Sequence, residues 1–171
     1  MTTRRPRRAV PVGDLDPVRP TPERPVRCRA RSMGHDTQFE PHHHPWGQVT
    51  YCASGLLQVS VADPSPDPTR ALETTTIVPS SRAVWIPPGA RHAVGMLEAS
   101  QLYTLYIDPS VVPADGWRSR VLVVSPLLRE LVLGMDLPHH AHDPQRQRSF
   151  ATLVLAELAQ APTQPLGVPM P

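Results

Sequence analysis

Between about residues 36 and 112 apolar and polar positions alternate in short runs, each bounded by Pro, Gly, Ser or Asp clusters. That spacing predicts an antiparallel sandwich or barrel. The candidate strands are 46–52, 55–63, 72–78, 83–86, 91–97 and 101–107, in a set of about seven. In the second run Leu57, Val59 and Val61 alternate with Leu56, Gln58 and Ser60, so one face belongs to a core. Ala53-Ser54-Gly55 predicts a hairpin between the first two runs, and the proline-rich stretch 63–70 predicts a loop. No helical period interrupts the series.

After Asp108-Pro109 the period changes. Ser125-Pro126 reads as an N-cap followed by proline in the first turn, and Leu127, Leu128, Leu131 and Val132 follow at helical spacing until Gly134. Asp143-Pro144 repeats the signal ahead of a longer helix to about Ala159, with Phe150, Leu153, Val154 and Leu158 as its apolar stripe. Such a stripe must be buried on the barrel's outside, on the other helix or on a second subunit.

With 171 residues the chain supports one domain with a sizeable core, or a domain with appendages. All 17 basic residues are arginine. Residues 1–31 hold nine arginines and six prolines against Asp14, Asp16 and Glu23, whereas the remainder is mildly acidic, with eight arginines against twelve acids. The first 34 residues are therefore expected to form a flexible tail, able at most to touch nucleic acid phosphates non-specifically. Nothing in the tail resembles a secretory signal, and no run reaches the roughly 18 apolar residues of a membrane span, so a cytoplasmic protein is expected. Cys28 and Cys52 form no CxxC pair, and no structural disulfide is expected.

The chemistry concentrates in two runs, His42-His43-His44-Pro45-Trp46-Gly47-Gln48 and Pro87-Pro88-Gly89-Ala90-Arg91-His92. In an extended segment residues 42, 44, 46 and 48 share one face, so His42, His44 and Gln48 converge. A second strand that brings in His92 makes a set acceptable to a first-row divalent metal such as Zn, Ni, Fe or Mn, with Gln48 as an optional oxygen ligand. The alternative is a cluster of imidazoles that hydrogen-bond a ligand or one another, because no carboxylate is present to offset a dication and Pro45 interrupts the strand. His140 and His142 form a second HxH pair between the two helices, where solvated histidines are the simpler expectation.

A closed barrel leaves one concave interior as the default ligand site. Trp46 either floors that pocket or belongs to the core. Met96 continues the alternation from His92 and is expected to line the pocket. Tyr103 and Tyr106 have opposite parity, so at most one looks inward, and Tyr103 is taken as the ligand contact. Arg82 and Arg91 are expected at the surface, with an anionic effector near the rim as the other option.

The spacing of His42, His44, Gln48 and Gly55, with Gln in the usual place of Glu, resembles the first motif of the cupin superfamily. Pro87, Gly89 and His92 resemble its second. "HHHPWGQVTYCASGLLQV", "SSRAVWIPPGARHAV" and "LYTLYIDPS" are similar to the N-terminal sensing domain of AraC-type transcription regulators over about residues 35–165. That resemblance implies a cupin (double-stranded β-helix, jelly-roll) barrel over 35–112 that binds a small-molecule effector, then a helical dimerisation segment and linker over 113–171. It also implies a DNA-binding helix-turn-helix pair beyond the linker-like "PLGVPMP", which this sequence does not include. The chain is thus expected to be a homodimeric sensing domain without an enzymatic activity. The rival reading is a standalone metal-dependent cupin enzyme, a dioxygenase or isomerase, in which three imidazoles leave metal positions open.

Overall fold

A computed structural model describes residues 7–67, 69, 72–136 and 143–167. His139, His140 and His142 lie outside them. Among the described residues eleven strands form two sheets. They are β1 (Arg8–Val10), β2 (Val26–Met33), β3 (Thr37–Phe39), β4 (Gly47–Cys52), β5 (Leu56–Ala62), β6 (Glu73–Pro79), β7 (Arg82–Ile86), β8 (Arg91–Met96), β9 (Ser100–Ile107), β10 (Arg120–Val123) and β11 (Thr163–Pro165). One sheet runs β1-β3-β8-β5-β6 and the other β11-β10-β7-β4-β9-β2.

Strand alternation divides the core in two. Leu57, Val59, Val61, Val84, Ile86, Val94, Met96 and Leu102 meet between the sheets. The opposite residues of the second sheet, among them Val49, Tyr51, Ala83, Trp85, Leu105 and Ile107, form a separate apolar layer. Helices α1 (Pro126–Met135) and α2 (Pro144–Gln160) cover that layer, with Leu128, Leu131, Val132, Ala151 and Val154 buried against it. Ser125 and Asp143 cap the two helices as expected, their side chains accepting from Leu128 N–H and from the N–H groups of Gln145 and Arg146.

Two expectations change. Ala53-Ser54-Gly55 does not make a hairpin, because β4 is hydrogen-bonded to β7 and β9 on its two sides and has no free edge for β5. Gly55, at φ +83°, instead turns the chain into the opposite sheet. The segment expected to be a flexible tail contains β2, which pairs with β9 over eight residues. Its arginines made it look disordered, yet they alternate with Val26, Cys28 and Ala30, which is a strand period. Their aliphatic stems cover the barrel edge, and the Arg31 guanidinium lies 4.8 Å over the Phe39 ring. Upstream, β1 pairs in parallel with β3, and Val10 and Val12 pack on the inter-sheet core.

Cys28 and Cys52 are both free thiols, pushed by burial up to about 12 and about 11. No helix among the described residues is long and apolar enough to cross a membrane.

Gly47 is packed against the helical layer, where a Cβ would lie 2.2 Å from the Trp85 ring. Trp85 cannot withdraw freely, since its Nε1–H donates to Gly116 O at 2.7 Å. Gly47→Ala is expected to destabilise the fold by about 1–3 kcal/mol through overpacking. A urea titration checks this through a lowered midpoint at unchanged slope.

Candidate functional site

The site begins with a turn. Pro87-Pro88-Gly89-Ala90 closes through Ala90 N–H to Pro87 O at 3.2 Å, with Gly89 at φ +81°. Proline second and a left-handed glycine third are what a type II turn requires. The Gly89 N–H donates to His44 O at 2.9 Å, and His42 and His92 exchange both main-chain hydrogen bonds, at 3.0 and 2.9 Å. The second motif therefore clamps the backbone of the first.

The three side chains meet as the spacing predicts. Ring centroids are 4.3 Å apart for His42 and His92, 5.1 Å for His44 and His92, and 5.8 Å for His42 and His44. Each Nδ1 is bound to a main-chain carbonyl: His42 to Glu40 O at 2.9 Å, His44 to Trp46 O at 2.9 Å and His92 to Ala90 O at 2.8 Å. A carbonyl only accepts, so each Nδ1 carries the proton, and in a neutral ring each Nε2 then presents a lone pair. The rings are neutral at pH 7, because burial lowers all three pKa values, that of His92 to about 3 with His42 adding to the effect.

His44 Nε2 lies 2.9 Å from the Gln48 amide, whose other end contacts Thr50 Oγ1 at 2.9 Å. Because His44 Nε2 is an acceptor, the amide NH2 is the end that faces it and the Thr50 hydroxyl donates to the amide oxygen. His92 Nε2 is buried with no partner. A metal ion at about 2.1 Å from three nitrogens requires them within about 4.2 Å of one another. The ligand atoms of His42, His44 and His92 lie within 4.8 Å. With sub-ångström closing, and with His44 Nε2 released from the Gln48 amide, the three nitrogens fit a divalent ion. Gln48 can add an oxygen only if its amide turns away from this arrangement.

An aromatic wall completes the site. Trp46 stacks on His44 at 4.9 Å and 13°, and Tyr106 stands edge-on to both. Trp46 and Gln48 are therefore in the site. Tyr103 is not: it faces the helical layer beside Tyr51, and the inward tyrosine is Tyr106. Both parities of β9 carry large apolar residues, so alternation alone did not separate them. Met96 points between the sheets but is fully buried in the core, two register positions beyond Val94, and lines no cavity at the histidines. The sequence reading missed Arg29 and Arg31, which line the small cavity beside His42, Gln48 and Tyr106. The period-two pattern of β2 was the signal that exposes them. That cavity is about 20 Å³, room for one water. A larger one of about 320 Å³ lies outside the barrel, between Trp85, Val112, Leu122 and the α2 residues Leu155 and Leu158.

Two sheets with β3-β8-β5-β6 facing β10-β7-β4-β9-β2, and a histidine cluster at one mouth, define a cupin domain. Its sequence is 30% identical over 131 residues to the HTH-type transcriptional regulator NimR of Escherichia coli K12, a match spanning 75% of this chain and 44% of that protein. Among solved structures, ToxT from Vibrio cholerae superposes with a TM-score of 0.51 at 9% identity, over 80% of this chain and 57% of that one. An RmlC-like cupin from Shewanella frigidimarina gives 0.41 at 14% identity, over 50% of this chain and 68% of that one. No protein-family profile matches the chain. The chain is a cupin domain similar to that of AraC-type regulators, and it spans less than half the length of the curated relative it matches.

The pKa directions give a pH dependence. The unfolded histidines titrate near 6.5. The buried ones stay neutral to lower pH, so the stability tied to them is complete above pH 6.5 and is lost as pH falls, for His92 down to about 3. In metal-free protein the unfolding free energy is expected to drop below pH 6.5 by up to about 1.4 kcal/mol per pH unit from His92 alone. His92→Gln should flatten the slope, as denaturant titrations at stepped pH will show.

Proposed function

We propose that this chain is the effector-sensing and dimerisation domain of an AraC-type transcriptional regulator. A small molecule enters the barrel at the histidine site, a first-row divalent ion held by His42, His44 and His92 is its optional companion, and DNA is bound by a helix-turn-helix domain outside these residues. The observation that carries the reading is the match to a helix-turn-helix regulator over 75% of the chain, with the WGQ run and the PPGxxH turn inside the same cupin site. A cytoplasmic location goes with that role. The test is the reading frame beyond codon 171. A helix-turn-helix pattern there supports the proposal, and a native stop codon overturns it.

A metal-dependent enzyme is the second reading, favoured by one feature: a cluster of three imidazoles, which as ligands would leave coordination positions open. Both readings place any ion at the same residues. Elemental analysis of wild type should find a metal that His42→Ala and His92→Ala lose, whereas equal contents in all three samples would locate it elsewhere.

The dimer proposal takes a different surface from the one the stripe suggested. Val154 is fully buried, and Phe150, Leu155 and Leu158 are partly buried against this chain's own core, so only part of the stripe is left for a partner. Leu127 and Leu153 remain 50% and 46% exposed on the two helices. Leu127→Asp with Leu153→Asp is expected to give a folded monomer where the wild type elutes as a dimer, measured by light scattering behind a sizing column. Wild-type protein that is itself monomeric at tens of micromolar removes the dimerisation role.

A further inference from the structure

The inner face of β2 carries Arg27, Arg29 and Arg31, set opposite Tyr106, Thr104 and Leu102 of β9. Arg29 and Arg31 both reach the same atom. Arg29 Nη1 donates to Val12 O at 3.1 Å, and Arg31 Nη1 donates to Val12 O at 3.1 Å and to Pro11 O at 3.3 Å. Two cations thus converge on one neutral oxygen. Arg27 behaves similarly one step away, on Pro17 O at 2.8 Å and Arg19 O at 3.4 Å. Among the described residues no acid pairs with Arg29 or Arg31, and none lines the cavity that they share with His42, Gln48 and Tyr106.

We propose, building on the sensing role above, that the barrel's small molecule is an anion, with a carboxylate-like group held between Arg29 and Arg31 where the Val12 carbonyl now sits. The geometry supplies three arguments. A carboxylate accepts from two guanidiniums with twice the lone-pair capacity of a carbonyl and with opposite charge, so charge-assisted hydrogen bonds replace neutral-acceptor ones. The Arg31 guanidinium is disfavoured as a cation first by its burial and then by Arg29 beside it, a cost that an anion held between the two relieves. One donor of the adjoining aromatic wall also lacks an acceptor: Trp46 Nε1–H is buried without a partner. The remaining body of the molecule then lies toward Tyr106 and the imidazoles, where apolar and aromatic surface meets the Nε2 lone pairs. The cavity as it stands holds one water, so binding requires residues 11 and 12 to yield their place.

The test compares benzoate with benzamide, which have nearly the same shape and differ in charge, by thermal unfolding at constant ionic strength in metal-free protein. Benzoate is expected to raise the midpoint at millimolar concentrations and benzamide is not. Arg29→Gln with Arg31→Gln should weaken benzoate by about tenfold or more. Arg29→Lys with Arg31→Lys keeps the charges and should keep the preference for benzoate, which guards against a Gln variant that simply unfolds. Equal shifts from the two compounds, no shift from benzoate at tens of millimolar, or benzoate binding unchanged in the Gln variant would each overturn the anion assignment. His44→Ala separates the two levels. Benzamide binding that is lost in His44→Ala leaves the barrel a small-molecule site and removes only the anion. Binding untouched by either set of substitutions places the ligand outside the barrel and removes the sensing site as well.

Discussion

The structure hangs on the burial of β4. All six of its residues are buried, it is hydrogen-bonded along both edges, and its two faces serve two different cores. Gln48, Thr50 and Cys52 look into the barrel while Val49 and Tyr51 support the helices. The first histidine motif leads directly into this strand's N-terminal end, so the position of His44 is tied to a backbone paired on both edges. Gly47 is part of the same constraint, because any side chain there would enter the Trp85 ring.

The histidines are oriented by main-chain carbonyls. Three Nδ1–H groups bound to Glu40, Trp46 and Ala90 carbonyls leave the three Nε2 atoms as acceptors in one cluster of histidines, that of His44 already taken by the Gln48 amide. Such an arrangement accepts a Lewis acid or a hydrogen-bond donor, and its neighbours Arg29 and Arg31 supply donors and positive charge. The site therefore has two chemically distinct halves within one mouth, an acceptor half of imidazoles and a donor half of guanidiniums. Tyr106 lines the cavity they share and stands edge-on to His44.

The helices answer a packing problem set by the second sheet. Its outer face is as apolar as its inner one, and α1 and α2 cover it with Leu128, Leu131, Val132 and Val154. The chain then returns to the barrel: β11 pairs with β10, Leu166 packs on the inter-sheet core and Gly167 N–H donates to Thr76 Oγ1 at 2.8 Å. The segment after α2 is thereby tied to the barrel wall.

Local pattern alone determined a good deal of this. Alternation located β4 to β9 within a residue or two, Ser125-Pro126 and Asp143-Pro144 marked both helix starts, and the spacing of His42, His44, Gln48 and His92 with the Pro-Gly turn determined that they meet. These features are short-range, set by side-chain period, turn chemistry and capping. Only the tertiary structure decided what depends on which strands become neighbours. It sent β5 into the opposite sheet, turned Tyr106 inward and Tyr103 toward the helices, buried Met96 in the core, and packed Leu158 on its own barrel. It also made a strand of the arginine-rich segment, since the favourable contacts of Arg29 and Arg31 exist only once β9 and residues 11–12 lie alongside them. A charged alternating segment becomes a strand when a partner edge completes its ladder, and that edge lies some seventy residues away in the chain.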